Sequence, residues 1–291
     1  MARTRVFFDG SIRWEEEALI SPLCTGLLYG DGVFEVMRGY DGVPFRFADH
    51  YERLRTSCEA LRLNLIYDEE NLWMIVRELL RQNDASQGDS YVRITVFGSE
   101  LNMISSPDGV TTHTFAHARP FIPPKPAKYK SGVSVRISSY RISPHNPTAG
   151  HNTICFLPMI LARRAAWQRG LDEVLIQNTE GGVCEGSTTN LFIVSREKIT
   201  TASLEDGIQR DVARDVVIEL AKELGIPVRE KTISQKMLMG ADEVFIANSL
   251  IEVMSVREID GSIMGSGSAG PVTAQLLAAY RKKVKEECSG S

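Results

Sequence analysis

At 291 residues and 32.3 kDa, the chain is long enough for one large or two medium domains with a sizeable core. Hydrophobic residues at 43% and charged residues at 24% are ordinary for a globular protein, while a formal net charge of −4 and a pI near 5.8 argue against nucleic acid as a partner. No apolar run reaches the roughly 18 residues of a membrane span and no secretory leader pattern is present, so a membrane partner is set aside and the cytoplasm is the expected compartment.

In chain order, Phe7 to Trp14 reads as a hairpin turned by Asp9-Gly10. Leu27 to Arg38 is a glycine-punctuated turn running into a strand, and Asp41-Gly42 marks a second hairpin before Pro44 to Phe47. Asp49 is placed as the N-cap of a helix from His50 to about Arg62, with Leu54, Cys58 and Leu61 as its apolar stripe. Glu70 to Gln82 makes a second helix, and Tyr91 to Gly98 and His113 to Ala118 make neighbouring strands. Together these predict a small α+β domain over residues 1–120. Residues 121–132 read as a proline-rich linker, because Pro120, Pro123, Pro124 and Pro126 suit neither a helix nor a central strand.

A larger domain over residues 133–285 follows, opening on a strand from Gly132 to Ser139. Ile154, Leu157, Ile160 and Leu161 recur at helical spacing, with Ala162, Ala165 and Ala166 as helix formers and Gly170 as the stop. Val174 to Ile176 is a short buried strand, Asn178 to Gly182 a turn, and Asn190 to Val194 the next strand. Asp206 to Asp211 leads into an amphipathic helix ending near Leu224-Gly225. Val228 to Thr232, Glu243 to Ala247 and Val253 to Ile259 read as strands, Gly265 to Gly270 as a loop and Pro271 to Lys285 as a helix. Residues 286–291 form a tail whose last members, Ser289-Gly290-Ser291, are expected to be disordered. Cys24, Cys58, Cys155, Cys184 and Cys288 lack CxxC spacing, so neither a disulfide framework nor a metal site is expected.

The stretch from Asn146 to Val194 carries a family resemblance. Glu185-Gly186-Ser187-Thr188-Thr189-Asn190-Leu191-Phe192 fits the pattern E-G-x-x-x-N-aliphatic-F. Asn152-Thr153-Ile154-Cys155-Phe156-Leu157 precedes it, in the place of a motif that begins with lysine. The pair resembles the class IV, or fold-type IV, pyridoxal-phosphate aminotransferases. That group includes branched-chain aminotransferases, D-amino-acid aminotransferases and aminodeoxychorismate lyases. The resemblance implies a two-domain fold of the α+β and α/β classes, with a small N-terminal α+β domain and a larger C-terminal domain built on a barrel-like mixed sheet. It further implies pyridoxal 5′-phosphate as cofactor, a small amino acid and a 2-oxo acid as substrates, and a homodimer.

Site residues follow from the same resemblance. Glu185 takes the role of the anion facing the pyridine nitrogen, which keeps the ring protonated and able to accept electrons; alone, a Glu beside glycine reads as a turn residue. Gly207-Ile208-Gln209-Arg210 resembles the family's Gly-Ile/Val-Thr-Arg phosphate loop at a helix N-terminus, with Gln209 in the place of threonine. Ser249 keeps a hydroxyl where a second phosphate turn is common. Arg53 matches the arginine that pairs with the phosphate, although by itself it would read as a surface residue on an amphipathic helix. Phe156 stands where a tyrosine often reaches the ring's 3-oxygen.

Tyr91 and Arg93 share one face of a strand and resemble the substrate pattern of branched-chain aminotransferases. The Arg-Gly of the D-amino-acid type would fall near Phe97-Gly98, where arginine is absent. Tyr29 and Phe34 read as pocket walls. The family's catalytic lysine falls on Asn152, whose amide is neither basic nor nucleophilic. The resemblance therefore implies a transaminase of a small amino acid and its 2-oxo acid, branched-chain-like or D-amino acid, whose present form is inactive or trapped. Aminodeoxychorismate lyase and a catalytically silent cofactor-binding or scaffold protein are the alternatives.

Overall fold

The computed structural model describes residues 3–99 and 111–289. The chain divides into two compact units: Met1–Pro123, His151–Phe156 and Val284–Ser291 form the first, and Pro124–Gly150 with Leu157–Lys283 the second.

The first unit contains β1 (Arg5–Phe8), β2 (Ser11–Trp14), α1 (Thr25–Tyr29), β3 (Gly32–Tyr40), β4 (Val43–Pro44), α2 (Phe47–Ala60), α3 (Glu69–Gln82), β5 (Asp89–Gly98) and β6 (Thr112–Pro120). Its six strands form an antiparallel sheet in the order β2-β1-β6-β5-β3-β4. Both hairpin dipeptides take positive φ, at 42° and 88° for Asp9-Gly10 and 48° and 85° for Asp41-Gly42, as two-residue turns demand. On β5 the alternation is clean: Val92, Ile94 and Val96 join Leu54, Leu72, Val76 and Leu79 of the two long helices in one core. Tyr91, Arg93 and Thr95 therefore face the opposite side. Helix α2 starts earlier than the sequence predicts. Its cap is Arg46, at φ 55°, and Asp49 sits inside the first turn, where its charge still favours the helix dipole. Burial of Phe47 against Trp73, 5.1 Å between ring centres, places the helix start ahead of the capping candidate.

The second unit contains α4 (Pro126–Ser131), β7 (Val133–Ile142), α5 (Leu157–Trp167), β8 (Glu173–Asn178), β9 (Gly182–Gly186), β10 (Asn190–Ser195), β11 (Lys198–Thr201), α6 (Val212–Glu223), β12 (Val228–Glu230), β13 (Ile233–Ser234), α7 (Gln235–Met239), β14 (Glu243–Asn248), β15 (Glu252–Ile259), β16 (Ser262–Ile263) and α8 (Pro271–Cys288) up to Lys283, the rest of α8 being counted with the first unit. Strands β10, β14, β15, β7, β8 and β9 pair successively, and β9 returns to β10, so the mixed sheet closes into a barrel. Val135, Leu175, Val183, Leu191, Ile246 and Met254 belong to its core. Outside it, Ala162 and Ala166 of α5 pack on Val174 and Ile176 of β8.

Several local departures have simple causes. The proline-rich stretch stays extended only to Lys125, because Pro126 opens α4 at a position where a missing N–H is harmless. Ile154 lies outside α5, since main-chain pairing with β3 claims the residues around it. Gly207–Arg210 precedes α6, which is capped by Asp211 through a 2.8 Å bond from the Ala213 N–H. The strand β9 is absent from the sequence reading. Helix α8 runs past Lys285 to Cys288, while Gly290 and Ser291 of the expected tail lie outside the described residues. Among the described residues no helix is long and apolar enough to cross a membrane, and no His, Cys, Asp and Glu cluster could hold a metal ion.

Candidate active site

In the second unit, the Glu185 to Phe192 pattern is the seam of the barrel. Glu185 on β9 and Asn190 on β10 are the cross-strand pair that closes the ring. Between them the chain turns so tightly that the Gly186 N–H donates to the Thr189 C=O at 2.6 Å. A Cβ on Gly186 would clash with Thr189 Oγ1, which favours glycine there. Ser187 and Thr188 hydroxyls anchor the turn by donating to the buried Glu173 carboxylate, at 2.5 and 3.2 Å.

This seam fixes the loop before α6. Gln209 donates its N–H to Glu185 Oε2 at 3.0 Å, and its C=O accepts from Asn190 Nδ2 at 3.1 Å. Both main-chain groups of one residue are thus held by the two polar members of the motif. Gly207 takes φ 84° with Pro144 close behind it, and the Ile208 side chain is buried with Cys184 and Ala202, leaving only its main chain for a ligand. Ser249 is buried in the turn from β14 to β15. The neighbouring Asn248 ties that turn to the seam, donating from Nδ2 to the Thr188 C=O at 2.8 Å.

Glu185 is electrostatically unusual. Burial pushes its carboxyl up to about 8; the Gln209 N–H works against this and the nearby Asp211 charge adds to it. Among the described residues only the Gln209 N–H bonds it, and no cation pairs with it. A buried acid without a counter-charge, on the wall of a crevice lined also by Thr188, Thr189 and Asn190, leaves room there for a cationic partner. The buried Thr189 hydroxyl there lacks a hydrogen-bond partner among the described residues.

In the first unit, Asn152 is held as an extra rung beside β3. Its C=O accepts from the Phe34 N–H at 2.8 Å, and the Ile154 N–H donates to the Gly32 C=O at 2.9 Å. The Phe34 ring meets Phe156 edge-on at 5.8 Å, and the Arg93 guanidinium lies over Phe34 at 3.8 Å. Phe34, Arg93, Asn152 and Phe156 therefore come together. Tyr91 belongs to the same face, against His117 at 5.5 Å and beneath Arg119 at 4.9 Å. Burial, then the Arg93 and Arg119 charges, push His117 down to about 4, so it is neutral at pH 7. Tyr29 ends α1 and is exposed; the following Gly30, at φ 70°, abuts Cys155.

Arg53 is no surface arginine. It grips Glu35 with Nε and Nη2, at 2.8 and 2.7 Å, while His50 Nδ1 lies 2.9 Å from the same carboxylate. Burial opposes the charge on Glu35, yet Arg53 and His50 outweigh it and hold the carboxyl below the usual range. Sequence reasoning missed Glu35, Thr189, His117 and Arg119. A carboxylate inside the apolar run Val33 to Met37 was a usable signal, because a buried charge requires a cation.

The amino-transferase class IV family matches residues 32–259. The chain belongs to the class IV aminotransferases. The branched-chain-amino-acid aminotransferase of Salmonella typhimurium is 33% identical over 94% of this chain and 91% of its own, and the D-alanine aminotransferase of Staphylococcus haemolyticus 29% over 98% and 100%. Among solved structures, the branched-chain aminotransferase from Thermoproteus uzoniensis with norvaline matches with a TM-score of 0.90 and 34% identity, covering 98% of this chain and 96% of that one. The T.th. branched-chain amino acid aminotransferase with pyridoxamine 5′-phosphate matches with a TM-score of 0.91 and 28% identity, covering 100% and 98%. Class IV aminotransferases are pyridoxal-phosphate enzymes acting on amino acids and 2-oxo acids, and this chain is one of them. Its two-domain architecture is that of fold-type IV.

Proposed function

We propose that this chain is a transaminase of small branched-chain-like amino acids, present here in a form that binds its cofactor without covalent attachment and turns over slowly. The observation that carries the reading is Glu185, a buried carboxyl that lacks only a cation. A protonated pyridine nitrogen supplies that cation, and the bound cofactor supplies an electron sink for the pair left when the substrate's α-C–H bond breaks. In the second unit, phosphate falls to the main chain at Ile208, the Gln209 carboxamide and the Ser249 hydroxyl, while the Arg53 guanidinium of the first unit is committed to Glu35. Phe156 packs where it cannot donate to a ring oxygen.

Substrate recognition falls to the first unit. Arg93 and Tyr91 offer a guanidinium and a phenol for a carboxylate, and Phe34 with Tyr29 offers apolar walls for a side chain. The absence of arginine near Phe97-Gly98 weighs against the D-amino-acid type. Asn152 can neither bond the cofactor nor carry the α-proton, so release and proton transfer are both slowed. The same chain assembles as a homodimer on this reading, supported by the exposed Leu157, Leu161 and Trp167 of α5.

Borohydride reduction of the cofactor-loaded protein, followed by peptide mapping, provides the test. Cofactor should be retained but unlabelled on residue 152 in the unsubstituted chain, and fixed to residue 152 in Asn152→Lys, which should also gain an amino-donor half-reaction with L-leucine. Label on another lysine of the unsubstituted chain, or equal turnover of both forms, overturns the reading.

A further inference from the structure

A second cleft, of about 420 Å³, opens on the second unit and shares no lining residue with the Glu185 crevice. Strand register gives it an unusual chemistry. Ile193 of β10 lies opposite Thr200 of β11, which lies opposite Arg229 of β12, and Ser195 lies opposite Lys198. Alternation then brings Lys198 and Arg229 to one face, with Lys231 two residues beyond, and α7 contributes Lys236. Glu230, the acid between Arg229 and Lys231, is committed elsewhere, bonded to Arg214 at 2.7 Å. No Asp or Glu lines the cleft, and none of its four cations forms an ion pair among the described residues. In a chain of net charge −4 this is a local inversion of sign.

We propose that this cleft is a binding site for a small organic phosphate, separate from the cofactor site. Four unneutralised cations repel one another, and a multivalent anion relieves that repulsion. The Arg229 fork suits phosphate oxygens, with the lysines as point charges around it. An apolar body is accommodated by the half-buried Met237 and the stems of the lysines, over a floor that includes the buried Ile193. The volume lies within the range of roughly 300–1,000 Å³ usual for small-molecule sites.

Calorimetric titration of the cofactor-loaded protein with adenosine 5′-triphosphate, and separately with inorganic tripolyphosphate, tests this. The nucleotide should bind saturably and roughly tenfold more tightly than tripolyphosphate. An Arg229→Ser, Lys231→Ser double variant should weaken it by about tenfold or more, with cofactor absorbance unchanged. Absence of saturation up to about 5 mM, equal affinity for the two probes, or undiminished binding by the variant overturns the proposal.

Discussion

Replacing Glu185 by Gln should make the cofactor-free protein more stable at alkaline pH while impairing its use of the cofactor. The carboxyl titrates near 8 in the fold against an ordinary value of 4.5, a displacement of about 3.5 pH units. At 1.36 kcal/mol per unit this amounts to about 5 kcal/mol, an upper figure. The sign follows from proton linkage: the folded state holds the proton more tightly, so the contribution is fully present below pH 4.5 and is lost as pH rises through about 8. Urea unfolding of both proteins between pH 4.5 and 9 isolates the effect, because other titrating groups cancel in the difference. The unsubstituted chain should lose stability relative to the Gln form by up to about 1.4 kcal/mol per pH unit across that window. Cofactor binding should move the opposite way, the Gln form losing a charge-assisted contact of about 1.5–3 kcal/mol. A flat difference curve would falsify the buried, uncompensated state of Glu185, and an unchanged cofactor affinity would place the pyridine nitrogen elsewhere.

Arg53→Met should destabilise the first unit by about 3–5 kcal/mol in chemical denaturation, because it leaves the buried Glu35 with His50 alone. A loss limited to cofactor affinity, with unchanged stability, would contradict that role. Gly186→Ala should lower the melting temperature through a clash of about 1–3 kcal/mol with Thr189 Oγ1, and Thr189→Ala in the same chain should recover most of it. If the second substitution recovers nothing, the clash is not with that hydroxyl. Light scattering of the purified chain should return a dimer mass, and Leu161→Glu on the exposed face of α5 should shift it towards monomer.

Much of the scaffold was legible in the sequence because some residues admit few conformations. Asp9-Gly10 and Asp41-Gly42 demanded hairpins, and the alternation around Tyr91 and Arg93 placed both on one face. Strand β9 was not legible: Gly182–Gly186 has two glycines and no alternation, and it becomes a strand through its partners β8, β10 and β13. Asp49 looked like a cap until Phe47 was seen to be buried, an instance of core packing outweighing a local preference of about 1 kcal/mol. The Arg53–Glu35 grip was equally hidden, because 18 residues separate the partners and only the packing of α2 on β3 brings them together.

The contrast between Asn152 and Glu185 bears most directly on what this chain still does. Position 152 is fixed by its main chain, through its own rung to Phe34 and that of Ile154 to Gly32, so exchanging its side chain leaves this backbone geometry in place. A lysine side chain at that position would carry little structural consequence. Glu185 is the reverse case: its carboxyl is held where ionisation is disfavoured, and a neutral amide of the same shape would serve the fold better at alkaline pH. A group that destabilises its own fold calls for a compensating partner, and the partner chemistry suited to this one is a ring cation. On the proposed reading, Glu185 marks continued use of the cofactor and Asn152 its use without a covalent bond.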